Sequence, residues 1–212
     1  VEAQLIDTDW EGAFGQARME AIVSDGLPPA AYVFQPTLSN NKRPDCAIRL
    51  PNTPELLIVD AKFPLEAVLA WRDAGSPEEL KAAAQRVRTD VSRHVDDIAA
   101  KYRLPGETQD IALMFVPSES IFADLHESFE DVVQRAFRAR VVLVSPALLM
   151  MAIQVMQALV RDARMREEAR VIQTEVGHLL EDVRRLRERA LGLERHFGQA
   201  AEDVGKILVS SD

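Results

Sequence analysis

The spacing of hydrophobic residues changes several times along the chain, and each change predicts a different element. Helical spacing begins near residue 9 and stops at "SDGLPP", where the glycine suits a helix C-terminus and two prolines prevent continuation. Strand-like segments rich in β-branched and aromatic residues follow, in "AYVFQPTL" and near residues 45–50 and 55–62. The turn sequence "PNTP" joins the strands near residues 45–50 and 55–62. The first part of the chain is therefore predicted to be a helix followed by an antiparallel three-stranded meander.

The middle of the chain alternates helices with short apolar runs. A helical pattern follows Pro64, and a second helix is predicted from Ser76 to about Arg103, because "SPEE" supplies an N-cap, a proline and first-turn acids. "DIALMFVP" and "VVLVS" are short and continuously apolar, which is typical of buried parallel strands. A helical stretch separates these two strands. The pattern predicts an α/β core, with a mixed sheet of about five strands flanked by helices.

From Pro146 onward the pattern is helical almost to the end of the chain. Apolar residues recur there at alternating spacings of four and three, as a heptad seam typical of a coiled coil: Ile172, Val176, Leu179, Val183, Leu186, Ala190, Leu193 and Phe197. The nearest partner helix in sequence is "LLMMAIQVMQALV". We therefore predict a helical hairpin over residues 146–212, packed on a core of residues 1–145 or on a partner. A homo-oligomer formed through these helices is the alternative.

Length and composition fit a packed globular protein. The 212 residues are 47% hydrophobic, and the net charge is −9, so any contact with nucleic acid must use a local basic surface. The single cysteine, Cys46, excludes a disulfide framework and fits a reducing, cytoplasmic compartment. No apolar run reaches the length of a membrane span, so no membrane contact by this chain is expected.

The candidate chemistry lies in the hairpin "KRPDCAIRLPNTPELLIVDAKFPLEA". Asp60 and Lys62 are two residues apart at the end of a strand and share a face, and Asp45 begins the adjoining strand. Two carboxylates with the carbonyl oxygen of Ala61 form an oxygen-only site that suits Mg²⁺ or Mn²⁺. Such an ion would activate water against a phosphodiester, with Lys62 orienting the water. The alternative is a solvated ion pair at a strand end, with Asp45 capping a turn.

The order of elements around "RPDCAIRLP" and "VDAKFPLEA" resembles the PD-(D/E)XK nuclease superfamily. More narrowly, these stretches together with "FGQARMEAIVSDGL", "RHVDDIAAKY", "MFVPSESIF" and "RVVLVSPALL" resemble the RmuC family of DNA recombination proteins. The resemblance covers nearly the whole chain. It implies a restriction-endonuclease-like core and a nuclease or DNA-structure role that limits rearrangements. It also implies an N-terminal membrane or coiled-coil segment in many members, which would anchor the full-length protein to the inner membrane.

One departure from the family's pattern bears on the site. Where members usually read Trp-Gly-Glu in the first helix, this chain has Phe14, Gly15 and Gln16. The resemblance implies that a first-helix glutamate joins the metal site. Gln16 offers a carbonyl oxygen without negative charge, and Glu20, one turn further, replaces the glutamate only if the helix is shifted.

The long helix after the site carries candidate DNA contacts. Arg93, His94 and Lys101 lie within "RHVDDIAAKY". His94 and Lys101 are seven residues apart, so they lie on one face of the helix and could reach a phosphate. The alternative for His94 is a partly buried histidine that only makes a hydrogen bond.

Three functions remain open from the sequence. The first is a Mg²⁺- or Mn²⁺-dependent deoxyribonuclease using Asp45, Asp60 and Lys62, with Gln16 or Glu20 completing the site. The second is a catalytically weak or inactive module that binds DNA ends or branches. The third is an adaptor that assembles through its C-terminal helices. The sequence contains no glycine-rich phosphate loop, no zinc-binding His-x-x-x-His pair and no nucleophilic serine elbow. Nucleotide hydrolysis by a P-loop, zinc proteolysis and ordinary esterase chemistry therefore have no support in the sequence.

Overall fold

The computed structural model describes residues 2–51 and 53–210, and the side chains of residues 13–51 and 53–206. The predicted "PNTP" turn includes residue 52 and lies partly outside the described residues. The elements are α1 (Glu2–Gly26), a short 3-10 helix (Pro29–Ala31), β1 (Tyr32–Phe34), β2 (Cys46–Arg49), β3 (Leu56–Asp60), α2 (Leu65–Arg72), α3 (Pro77–Tyr102), β4 (Thr108–Phe115), α4 (Glu119–Ser128), α5 (Glu130–Arg138), β5 (Val141–Val144) and α6 (Pro146–Ser210).

The five strands form one mixed sheet in the order β1-β2-β3-β4-β5. β1, β2 and β3 pair antiparallel, whereas β4 and β5 run parallel to β3. The predicted meander and the two parallel strands are thereby confirmed. The parallel pairs require crossovers, which α2 with α3 and α4 with α5 provide. β3 is the central strand and is buried on both faces.

Two hydrophobic layers cover the sheet. On one face, strand residues such as Ala47, Ile58 and Met114 pack under α2 to α5. On the other face, Val59 and Phe115 pack under α1 and the first turns of α6. Because successive strand residues point to opposite faces, neighbouring positions of β3 serve different layers.

Local chemistry accounts for several helix ends. Ser76 caps α3, with its Oγ accepting a hydrogen bond from the Glu79 N–H at 3.2 Å, and Pro77 occupies the first helical position. The helical stretch predicted between the two parallel strands is divided into α4 and α5. The division falls at Phe129, which leaves helical geometry with φ −135° and ψ 43° and is itself buried in the core.

The prediction of a C-terminal helical hairpin is wrong, because α6 is one uninterrupted helix of 65 residues. The sequence between the proposed arms, "RDARMREEARV" from residue 161, contains neither glycine nor proline and consists mostly of strong helix formers, so nothing turns the chain there. The structure divides into two compact units, Val1–Arg161 and Asp162–Asp212. None of the helices within the described residues is long and apolar enough to cross a membrane.

Gly26, at the end of α1, is a point of close approach between helices. A Cβ atom at this position would lie 2.3 Å from Cγ2 of Ile153 in α6. Ile153 is buried, and its β-branched side chain has little freedom to move away. The side chain of Gln157 also donates a hydrogen bond to the Gly26 carbonyl oxygen. The contact therefore requires glycine.

We expect Gly26→Ala to lower the free energy of unfolding by about 1–3 kcal/mol, because the added methyl group overpacks a rigid contact. Urea denaturation of the chain measures the change.

The matched control is Gly75→Ala. At Gly75 the nearest atom to an added Cβ is Glu79 Oε2 at 3.6 Å, an ordinary contact distance. This substitution is expected to change stability by no more than about 0.5 kcal/mol. Equal effects of the two substitutions would contradict the close-contact argument.

Candidate functional site

The candidate site begins with the register of β2 and β3. Cys46 pairs with Val59 in the antiparallel ladder, so the preceding Asp45 lies opposite the following Asp60. Both carboxylates are buried, with 5% of Asp45 and 4% of Asp60 exposed. The N–H of Ala61 donates a 2.8 Å hydrogen bond to Asp45 Oδ2. The structure therefore brings together the two acids and the peptide of Ala61 that the sequence singled out.

The two acids are not neutralised by a basic partner. Among the described residues, neither carboxylate forms an ion pair with arginine or lysine. Burial, and then the charge of Asp45, raise the pKa of Asp60 from 3.8 to about 6. The Lys62 charge, the Tyr102 hydroxyl and the Lys62 N–H oppose that rise in pKa. Two buried carboxylates that form no ion pair among the described residues are a suitable place for a bound cation.

Tyr102 is a site residue that sequence reasoning missed. It is the last residue of α3, is 7% exposed, and its hydroxyl donates to the carbonyl oxygen of Arg43 at 3.2 Å. The hydroxyl also lies near Asp60 and lowers the pKa of that carboxyl. Burial, and then the charges of Asp60 and Asp45, raise the pKa of Tyr102, so it stays a neutral donor. A signal was available, because Tyr102 continues the helical spacing of the buried residues of α3: Val87, Val91, Val95 and Ile98.

Lys62 lies just beyond β3 and is exposed. Its charge is close enough to lower the pKa of Asp60, and its backbone N–H donates a hydrogen bond to that carboxylate. Lys62 thus combines a backbone contact inside the site with an ammonium group open to solvent. This arrangement suits a group that meets an incoming anion.

Gln16 and Glu20 lie one turn apart on α1. The side-chain amide of Gln16 donates a 2.8 Å hydrogen bond to Glu20 Oε1, and both side chains are partly buried. The charge of Glu20 acts on Cys46, whose pKa burial raises to about 12, with Glu20 and then Asp45 adding to the rise. In the described part of the chain, no three His, Cys, Asp or Glu side chains gather as a metal-binding group.

α1 nevertheless passes over the end of β3. A Cβ atom added at Gly15 would lie 3.5 Å from the carbonyl oxygen of Ala61 and 3.7 Å from Cβ of Pro117. The guanidinium of Arg18 donates to the carbonyl oxygen of Pro117 at 3.0 Å and fastens the helix there. The first helix is therefore near the site through its backbone, while the Gln16 amide is engaged with Glu20.

The candidate DNA contacts Arg93, His94 and Lys101 lie around one acid, Asp97. The hydrogen bond and charge of Lys101, and then the charges of His94 and Arg93, lower the pKa of Asp97. Lys101 pairs with Asp97 at 2.8 Å and Arg93 pairs with Asp90 at 2.6 Å. Nδ1 of His94 lies 3.1 Å from the carbonyl oxygen of Asp90. The two basic residues are thus paired with carboxylates, and a phosphate would have to displace these partners.

The β1–β2 loop, residues 35–45, carries Asp45 and is held at both ends. At its neck, the Gln35 N–H donates to the carbonyl oxygen of Asp45 at 3.0 Å. Contacts outside the loop hold its tip: Asn40 Nδ2 donates to the carbonyl oxygen of Lys101 at 2.7 Å, and Ser39 N donates to Glu107 Oε1 at 3.0 Å. The Ser39 hydroxyl also donates to Glu107 Oε2. The loop is thereby tied to the end of α3, next to Tyr102.

Comparison with known proteins identifies the family. The RmuC family matches residues 2–211. The chain belongs to the RmuC family. Curated relatives include a "DNA recombination protein RmuC homolog" from Pseudomonas aeruginosa, 31% identical over 140 residues (65% of this chain, 31% of the relative). The Vibrio cholerae homolog is 25% identical over 196 residues (88% and 38%). "DNA recombination protein RmuC" of Escherichia coli K12 is 26% identical over 187 residues (84% and 39%).

The matched part of this RmuC-family chain spans well under half the length of those relatives, between 31% and 39%. No solved structure matches the chain.

The residues at the sheet end fit a hard divalent cation. Asp45 Oδ2 accepts the hydrogen bond from the Ala61 N–H, which fixes the orientation of this carboxylate. With Asp60 and the Ala61 carbonyl oxygen, the donor set consists of oxygen atoms alone, which Mg²⁺ and Mn²⁺ prefer. The donor set carries two negative charges at most.

Replacing Asp60 by asparagine should stabilise the metal-free protein at neutral pH. The pKa of Asp60 is raised from 3.8 to about 6 in the folded state, so between these values the folded state binds more protons than the unfolded state. The free energy of unfolding therefore falls as the pH rises through this window. Asp60→Asn removes that loss. The free energy of unfolding of the variant should therefore equal that of the parent near pH 4 and exceed it by roughly 1–3 kcal/mol at pH 7. Urea denaturation in a chelator, repeated across pH, measures the difference.

Asp97→Asn is the control, because its carboxyl has the opposite shift. Lys101 lowers the pKa of exposed Asp97, so the charged form is favoured in the folded state. Its replacement should lower stability at neutral pH, with the difference disappearing in acid. An Asp60→Asn protein less stable than the parent at pH 7 would contradict the assignment of Asp60 as an unneutralised buried acid.

Proposed function

We propose that this RmuC-family chain is the core of a Mg²⁺- or Mn²⁺-dependent deoxyribonuclease that acts in DNA recombination. One observation carries the proposal: Asp45 and Asp60 face each other from neighbouring strands, both buried and neither paired with a basic side chain of the described residues. The names of the curated relatives support the process, since they are DNA recombination proteins. A nuclease activity of the longer curated relatives, of which this chain matches only a part, is likewise proposed.

The proposal includes the PD-(D/E)XK assignment. Its support is the order of the two acids and the lysine on an antiparallel pair, Asp45 before β2 and Asp60-Ala61-Lys62 at the end of β3, with a preceding helix over the strand end. The mixed sheet with helices on both faces is compatible with a restriction-endonuclease-like core.

Asp45, Asp60 and the Ala61 carbonyl oxygen would hold the ion. When bound, it supplies positive charge beside the phosphate and lowers the pKa of coordinated water. The Ala61 N–H fixes the orientation of Asp45. The Tyr102 hydroxyl, neutral because its pKa is raised, steadies Asp60 without adding charge. The exposed ammonium of Lys62 meets the phosphate and orients the attacking water.

A second function is favoured by the first helix. Gln16 has no charge, and its amide is engaged with Glu20, so α1 adds no carboxylate to the two aspartates among the described residues. A site with fewer negative charges binds Mg²⁺ less tightly. The same fold would then act as a weak or inactive module that recognises DNA ends or branches through Lys62 and, after exchange of their partners, Arg93, His94 and Lys101.

Metal binding is tested by thermal unfolding in Mg²⁺ and Mn²⁺. The parent should gain about 2.7 kcal/mol at an ion concentration about a hundredfold above Kd, a rise in Tm of roughly 5–10 °C. Asp60→Asn should lose most of this rise, whereas Asp97→Asn should keep it. Equal rises in the parent and Asp60→Asn would contradict the site.

Catalysis is tested by cleavage of linear, nicked, supercoiled and four-way-junction DNA in each metal. We expect cleavage by the parent and Asp97→Asn, loss in Asp60→Asn and Lys62→Ala, and a gain in Gln16→Glu if the first helix limits metal affinity. Gel shifts across a salt series are run beside the assay, because phosphate contacts weaken steeply as salt rises. Binding without cleavage would support the second function, and no binding at low salt would overturn both.

A further inference from the structure

The second compact unit, Asp162–Asp212, carries a continuous apolar stripe that its own residues leave open. The exposed residues of the stripe include Ile172 at 62%, Leu179 at 62%, Val183 at 62%, Leu186 at 69% and Phe197 at 68%. Surface hydrophobics scattered singly need no explanation, but these residues follow one line of the helix and form a continuous apolar surface.

The stripe has the residue types of a two-stranded parallel coiled coil. With Val176 assigned to heptad position a, the a positions are Val176, Val183, Ala190, Phe197 and Val204. The d positions are Met165, Ile172, Leu179, Leu186 and Leu193. β-branched residues at a combined with leucine at d favour parallel dimers. The central part of the stripe, from Val176 to Leu193, follows this rule except at Ala190.

The residues flanking the stripe are charge-complementary to a second copy of the same helix. In a parallel dimer in register, position g of one chain meets position e of the next heptad in the other chain. Asp182 at g then meets Arg187, and Arg189 at g meets Glu194. By symmetry each pair occurs twice. The preceding pair, Glu175 with Leu180, has only one charge and is not repulsive.

No existing contact prevents these pairs from forming. Asp182 is paired with Arg185 of its own helix, but both side chains are about two-thirds exposed, 65% and 64%. Exposed ion pairs of this kind contribute at most about 1 kcal/mol, so exchange for a partner across the dimer is easy.

The glycines of this unit lie outside the stripe. Gly177, Gly192, Gly198 and Gly205 all lie at heptad positions b or c, on the outer side, and an added Cβ at any of them would meet nothing within 4 Å. Four helical glycines cost roughly 2–4 kcal/mol relative to alanine. A helix with this composition gains little from intrinsic propensity and depends on packing of its apolar face.

We propose that two copies of this chain pair through residues 165–204 as a parallel, in-register two-stranded coiled coil. The proposal rests on this unit alone and is independent of the nuclease proposal. It assigns the stripe to a second copy rather than to another protein, because the g and e charges complement the helix's own sequence.

The first test is sedimentation equilibrium of the 212-residue chain from low micromolar to submillimolar concentration. The parent should be a dimer. Leu186→Asp, in the stripe at position d, should raise the dimer Kd at least about a hundredfold, since a charge replaces a core leucine. Leu191→Asp is the matched control, because Leu191 is an exposed leucine at position b, and it should leave the dimer Kd unchanged.

Charge reversal separates dimerisation from loss of helix. Asp182→Arg should raise the Kd about tenfold through two repulsive contacts with Arg187. Adding Arg187→Asp should restore the parent Kd. The double variant still lacks the internal Asp182–Arg185 ion pair, so recovery reports the contact between chains.

Orientation is tested by oxidative cross-linking. Ala190→Cys should form a disulfide with its own counterpart, because equal a positions face each other in a parallel dimer. Glu188→Cys, on the outer face at position f, should not. The native Cys46 is buried and does not compete.

A parent that is monomeric throughout the concentration range would overturn the proposal, as would Leu191→Asp being as disruptive as Leu186→Asp. Efficient cross-linking of Leu179→Cys chains to Ala190→Cys chains, without self-linking of the latter, would indicate antiparallel pairing and overturn it too. A trimer or larger species would do the same.

Discussion

The pairing of β2 with β3 is the constraint on which the rest of the core depends. Its register determines that Asp45 stands opposite Asp60, and the alternation along β3 then assigns its apolar residues to the two layers. A shift by one residue would exchange the layers and separate the acids. The hydrophobic layers therefore hold the site in register, because any slip that moved the carboxylates would also expose core residues of the central strand.

This arrangement places a destabilising feature at the centre of a well-packed sheet. The carboxylates sit where burial opposes charge, and the surrounding groups relieve this only in part: one N–H to Asp45, and one hydroxyl and one N–H near Asp60. Structures retain such features where a ligand or a reaction needs them, since apolar residues would fill the same space at lower cost. The tension between stability and charge at Asp60 is the physical reason for regarding this strand end as functional.

Much of the core could be predicted from sequence because its signals are local. Turn residues, the Ser76 cap and the continuous apolar runs of β4 and β5 each act over a few residues. The spacing of residues also predicted that Asp45, Asp60 and Ala61 lie together. Tyr102 was missed because its role depends on a contact across 59 residues, with the Arg43 carbonyl. The prediction of a C-terminal hairpin was wrong because a heptad seam indicates an apolar face suited to helix packing and does not say which helix covers it. The assigned roles of Gln16 and Glu20 are still predictions, and their mutual hydrogen bond could not be read from spacing alone.

The anchored β1–β2 loop has a consequence for recognition. Free loops lose conformational entropy when a ligand orders them, by about 1–2 kcal/mol for each residue fixed. Here the neck at Gln35 and the tip contacts of Asn40 and Ser39 have already ordered the segment that presents Asp45. Binding at this strand end therefore draws on a preorganised surface, and affinity there will follow charge and shape rather than the ordering of the chain.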